Sequence, residues 1–111
     1  MKNILIRDFL DSDVAVSYSN GEKLYNFLQV EFDKADKISL DFSSIKAYAT
    51  PFFNASIGYL LKDKNINELK EKLDFQNLSE NGFFILNRVI KNSIEYYNNK
   101  EKIDRALIDE G

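Results

Sequence analysis

The 111-residue sequence contains no cysteine. Disulfides, thiolate nucleophiles and zinc–thiolate sites are therefore excluded. It contains no histidine either, which removes the commonest general base and the commonest transition-metal ligand. One proline and four glycines are present. The glycines are scattered as Gly21, Gly58, Gly82 and Gly111, so there is no Gly-rich phosphate loop, and no linker or internal repeat is visible. No apolar run approaches the roughly 20 residues of a membrane span. Charge within Met1–Asp8 makes that stretch a first strand rather than a targeting segment, so the expectation is a cytoplasmic protein with no membrane partner. Formal net charge is −3, from 15 basic and 18 acidic residues. Basic residues alternate with acidic ones in Lys62-Asp63-Lys64 and Lys70-Glu71-Lys72, which leaves no basic face for a phosphate backbone and hence no nucleic-acid partner.

What is present is an ordinary globular balance, 44% hydrophobic and 30% charged. The length suits a single domain over residues 1–111 with one core, the polar stretch 99–111 being an extension prone to fray. Ile4-Leu5-Ile6 reads as a strand, Asp11-Ser12-Asp13 as a turn and Val14–Ser17 as a second strand, the two pairing as a hairpin. Ser19-Asn20-Gly21-Glu22 has the form of a capping box. It opens a helix over Asn20–Phe32, with Leu24, Phe27, Leu28 and Phe32 on one face. Ile38–Phe42 alternates as a half-buried strand, and Ile45–Tyr48 crosses to the next element. Thr50-Pro51 reads as an N-cap followed by the first helical residue of a helix to about Asp63, with Phe53, Ile57, Leu60 and Leu61 inward. Asn65–Glu71 fits either a loop or a short helix. Leu73-Asp74-Phe75 is a strand ending in Asn77, and Ser79 caps a last helix striped by Phe83, Leu86, Val89, Ile90, Ile94 and Tyr97. The alternation predicts an α/β fold, a small mixed sheet of about four strands packed by about three helices.

The run Ser39-Leu40-Asp41-Phe42-Ser43-Ser44-Ile45-Lys46-Ala47-Tyr48-Ala49-Thr50-Pro51-Phe52-Phe53-Asn54-Ala55 resembles the strand–turn–helix centre of STAS domains. More closely it resembles the bacterial STAS-like family of unknown function. Ser17–Leu24 is similar to that family's first helix entry, and Leu73–Ser79 to its later strand and helix cap, so the resemblance covers roughly residues 14–97. It implies a STAS-like fold and a regulatory, non-enzymatic module without a cofactor. It also implies a protein partner such as a kinase-like ATPase, a transcription regulator or another signalling component. In anti-sigma-factor antagonists the matching helix start carries a phosphorylated serine. Here Ala49 stands where they have aspartate and Pro51 stands at that serine, leaving Thr50 as the phosphorylation candidate.

The expected docking or anion-binding surface is thus the helix start, with Tyr48, Thr50, Phe52, Asn54 and Tyr59. Phe52 and Tyr59 fall off the core stripe, beside an exposed helix N-terminus. The competing readings are a Thr50 hydroxyl occupied as a cap, and aromatics packed at the edge of the core. A small-molecule, anion or nucleotide sensor at the helix beginning at Pro51 is the alternative function. Asp8, Asp11 and Asp13 lack the glycine and distal glutamate of a calcium loop and read as a solvated turn, with no metal. Asp41 reads as an acceptor for the turn after its strand rather than a general base. The tail from Tyr96-Tyr97 through Ile103, Leu107 and Ile108 offers a helix-in-groove or dimer contact, against a frayed extension.

Overall fold

A computed structural model describes the backbone of residues 1–110 and the side chains of residues 1–98. The strongest strand signal, Ile38–Asp41 (β3), lies at the centre of a three-stranded parallel sheet between β1 (Lys2–Leu5) and β5 (Leu73–Gln76). Leu40 pairs with Ile4 on one side and Phe75 on the other. A central parallel strand is covered on both faces, which is why Ile38, Ser39 and Leu40 are all buried rather than alternating. β2 (Val14–Ala15) and β4 (Ala47–Tyr48) form a second, two-stranded parallel pair with Ala15 opposite Tyr48.

The expected hairpin of the first two strands is not formed. Ile6–Leu10 coils into a short helix, α1, and Asp11 ends it in left-handed backbone (φ 52°), which carries the chain away from β1. The expected mixed sheet is likewise corrected. Among the described residues there are five strands, all paired in parallel, and five α-helices. The two-residue strands carry too few residues to show a period of their own.

Helix α2 (Tyr18–Glu31) starts two residues before the sequence suggested. Ser17, extended at φ −86°, is its cap and accepts the Asn20 N–H at 3.1 Å; Ser19 lies inside the helix. Gly21, Leu24 and Leu28 form its buried face. α3 (Thr50–Phe53) leads into a π-helical turn, Asn54–Gly58, in which Ser56 donates its hydroxyl to the Phe52 carbonyl at 2.8 Å. The chain then leaves the helix near Leu60 rather than Asp63. Asn65–Glu71, ambiguous in sequence, holds a true capping box: Asn65 and Glu68 exchange side-chain and backbone bonds at the start of α4 (Ile66–Lys72). α5 (Glu80–Glu110) is capped by Ser79, which accepts the Gly82 N–H at 3.1 Å.

The Thr50–Gly58 segment sits between α2 and α5. Ala55 meets Gly21 on α2, and Gly58 meets Val89 and Ser93 on α5. With neighbours on both flanks, Ala55, Ser56, Ile57 and Gly58 are buried in succession, which a helix covered on one side would not allow. At its foot, Phe53 stacks on Tyr48 (6.0 Å, 10° between planes) and lies 6.2 Å from Phe42, whose ring lies 6.3 Å from Phe75. This aromatic cluster joins the helix to β3, β4 and β5.

Candidate functional site

The site is built where β4 hands the chain to α3. Ala49, in extended backbone, is the N-cap and offers no side-chain acceptor, so Thr50 is the first helical residue and Pro51 the second. The reading of Thr50 as the cap is therefore corrected; the helix steps back one residue because the β2–β4 pairing holds Ala49, whose N–H donates to the Ala15 carbonyl at 3.1 Å. Thr50 and Pro51 are exposed, as is Asn54 one turn on. Since Thr50 caps nothing, Thr50→Ala should change stability by no more than about 0.5 kcal/mol in a urea melt. A loss of about 1 kcal/mol or more would restore the capping role.

Phe52 does not belong to the surface. It is 0% exposed and meets Phe53 edge-on at 5.2 Å. The one-sided helical stripe misplaced it because α2 covers a second side of this helix: the Phe52 carbonyl lies against Gly21. Tyr48 is half-buried in the aromatic cluster. Burial pushes its phenol above the usual tyrosine range, partly offset by hydrogen bonding with the Ser79 backbone and hydroxyl. It is a packing residue with a polar tip. Tyr59 remains partly open (37%) and packs on Tyr25, ring centroids 5.0 Å apart. Of the five candidates the structure thus leaves Thr50, Asn54 and Tyr59 reachable along one helix.

It adds residues that the reading of the helix start missed. Asn54 and Gly58 share a cleft of about 300 Å³ with Asn92, Ser93, Tyr96 and Tyr97 of α5. Tyr96 is 60% exposed and meets Tyr97 edge-on at 5.1 Å. Burial raises the Tyr97 phenol, and Tyr59, Tyr96, Asp63 and Tyr25 add to the rise. The sequence places Tyr97 on the apolar stripe of the last helix and the Tyr96-Tyr97 pair at the head of the tail; the pair's closeness to Asn54 is a consequence of α5 crossing the π-helical turn.

Asp41 holds the loop after β3. Its Oδ1 accepts the Ser43 N–H (2.9 Å), the Ser43 hydroxyl (2.6 Å) and the Asn77 amide (2.9 Å), tying the ends of β3 and β5 together. The Ser43 hydroxyl first, then Asn77 and the Ser43 N–H, hold its carboxyl below the ordinary value of 3.8. Ser44 and Asn77 both take left-handed backbone beside it (φ 65° and 56°). A carboxyl depressed in the folded state stabilises the fold at neutral pH, and that contribution is lost as pH falls below about 4 through the lowered native value. Asp41→Ala should cost about 1–2 kcal/mol at pH 7 and less near pH 2. An equal loss at both pH values would show that the carboxylate does not act in this way. Asp13, from the acidic turn, pairs with Lys46 at 3.4 Å. No group of three or more carboxylates among the described residues is placed to hold a metal, and no described helix is long and apolar enough to cross a membrane. The side chains of Ile103, Leu107 and Ile108 lie outside the described residues.

No curated protein and no solved structure matches the chain. A family model does, described as STAS-like domain of unknown function (DUF4325), over residues 20–83. That span runs from the first turn of α2 through β3, the Thr50 turn, α4 and β5 into the first turn of α5. It covers more than half of the chain and includes the strand, turn and helix start that carried the sequence resemblance; this protein belongs to the STAS-like domain family of unknown function.

Proposed function

We propose that this chain is a non-catalytic regulatory module that docks a protein partner along the open side of the helix beginning at Thr50. The observation that carries the reading is that Thr50, Pro51 and Asn54 are exposed while Phe52, Phe53 and Ala55–Gly58 of the same segment are buried between α2 and α5. A rigid element with one free side presents its residues at little entropic cost. Tyr18 (53% exposed), in the first turn of α2, adds an aromatic near the same end, since Gly21 one turn later packs on Phe52 and Ala55. Tyrosine, asparagine and serine around Asn54 are the residue types that serve protein surfaces well, with large amphipathic area and adaptable hydrogen bonding. The absence of histidine and cysteine, and the three hydrogen bonds by which Asp41 Oδ1 holds its own loop, support a role without chemistry. The partner is a signalling component, a kinase-like ATPase or a transcription regulator, as for antagonist-type STAS domains. Phosphorylation of Thr50 would place about −1.5 to −2 charge on this surface and alter docking.

A photo-crosslinking residue at Asn54, introduced in the native host, should trap one defined protein, and Thr50→Glu should weaken the trapping. The same residue at Asn67, exposed on α4, should trap none. Equal capture from Asn67, or no capture together with a thermal shift on adding nucleotides, would overturn docking and favour the ligand-sensor alternative.

A further inference from the structure

Another cleft, of about 310 Å³, lies between α4, β5 and the first half of α5. Its floor is apolar, with Ile57, Leu73 and Leu86 buried there. Phe75 and Ile90 are only half-buried on its walls, and Phe83 keeps 43% of its surface open. Leu73, Asp74 and Phe75 are consecutive, yet all three line it. Side chains alternate between the faces of a strand, so one cleft touches all three only by lying along the strand's edge. Among the described residues β5 pairs with β3 alone, which leaves that edge free. The Gln76 carbonyl accepts the Phe42 N–H at 2.9 Å on the β3 side. Backbone groups of successive residues point to opposite sides of a strand, so the N–H and C=O of Phe75 point to the open edge. Two opposite charges stand at the mouth, Lys70 from the last turn of α4 and Asp74 from β5, together with the Asn87 amide. Neither charge joins an ion pair among the described residues, and Asp74 is engaged by the Gln76 amide through Oδ2.

We infer that this cleft binds a free α-amino acid with an aliphatic or aromatic side chain, such as leucine or phenylalanine. The ligand's side chain lies on the apolar floor and covers the open surface of Phe83 and Ile90. Its α-carboxylate meets the Lys70 ammonium, and its α-ammonium meets the Asp74 carboxylate. The Phe75 backbone and the Asn87 amide supply further donors and acceptors. The two charges decide the class. A fatty acid would bring its carboxylate up to Asp74, an apolar amine would bring its ammonium up to Lys70, and a zwitterion answers both. The volume stands at the lower end of the roughly 300–1,000 Å³ typical of small-molecule sites, which suits a single amino acid better than a nucleotide. For so small a ligand the dissociation constant is on the order of 0.1–1 mM. This inference does not rest on the docking proposal, since the cleft shares no residue with Thr50, Pro51, Asn54 or Tyr18.

Amide NMR spectra of the full chain, titrated with L-leucine or L-phenylalanine to about 10 mM, should show saturable shifts at Lys70, Leu73–Phe75 and Phe83–Ile90. Glycine, with no side chain to bury, should give none. Isocaproate lacks only leucine's ammonium and isopentylamine only its carboxylate; each should bind at least about tenfold more weakly than leucine. Lys70→Met, which keeps a long apolar stem, and Asp74→Asn should each weaken leucine at least about fivefold and leave the rest of the spectrum in place. No shift with either amino acid, or shifts scattered over the surface, overturns the proposal. Leucine affinity unchanged in both variants does the same. So does isocaproate or isopentylamine binding as tightly as leucine, which would make the cleft a greasy surface without head-group recognition. Uncharged N-acetyl-leucinamide binding as tightly would mean a peptide strand on the β5 edge and overturn it equally. The analogues need no variant, so the test stands even where a substitution unfolds the chain.

Discussion

Gly21→Ala is expected to destabilise the protein by about 2–3 kcal/mol, lowering the melting temperature by roughly 10–20 °C. Helix propensity alone argues the reverse, because alanine exceeds glycine by about 1 kcal/mol inside a helix. Contact decides between them. A Cβ on Gly21 would lie 2.4 Å from the Phe52 carbonyl oxygen and 2.7 Å from the Ala55 Cβ. The nearer of these is backbone, in a helix held on its far side by α5, so α2 can relieve the overlap only by moving off the core. Leu24 and Leu28, buried along the same helix, would then lose contact as well. Gly82→Ala is the control. Its Cβ would meet the Leu78 side chain at 2.7 and 3.0 Å, and the ends of a leucine can rotate aside. Urea denaturation of both variants should show the loss at Gly21 clearly exceeding that at Gly82. A Gly21→Ala protein as stable as the parent would mean that the two helices do not cross this closely.

Gly21 also marks the limit of what sequence pattern conveys. The pattern placed a helix over this stretch from its apolar spacing, and the helix is there; the same spacing gave β3, β5 and the start of α5. These elements carry enough clustered apolar residues to mark them, whether on one face, as in α2, or on both, as in the central strand β3. The failures have different physics. Val14–Ala15 and Ala47–Tyr48 pair across more than thirty residues of chain, and their parallel partnership depends on where α2 and β3 have already placed them. The cap at Thr50 was misassigned because threonine before proline is a sound local signal, while the β2–β4 ladder, a non-local constraint, holds Ala49 in extended backbone. Family membership was legible in the order of strand, turn and helix start. The cleft beside Asn54 was not, because nothing local tells that α5 crosses the π-helical turn at Ser93 and Tyr96.

Phe52 is where these two kinds of failure meet, and Phe52→Ala gives the sharpest test of the architecture. On a helix buried along one stripe, Phe52 would stand on the flank, and its truncation would weaken partner binding while leaving stability nearly intact. In the structure the helix has neighbours on both flanks, and Phe52 is 0% exposed against Phe53 and α2. Removing a fully buried phenylalanine costs about 3–5 kcal/mol, the transfer of the ring plus the cavity left behind. A domain of this length has a total stability of roughly 5–15 kcal/mol, so the variant should be partly unfolded at physiological temperature. Phe52→Leu keeps much of the volume and should recover a substantial part of the loss. Tyr59→Ala, on the open side of the same helix, should cost less than either. If Phe52→Ala instead melted with the parent, the segment would be free on its α2 flank, and the narrow strip from Thr50 to Asn54 would cease to be the helix's only open side.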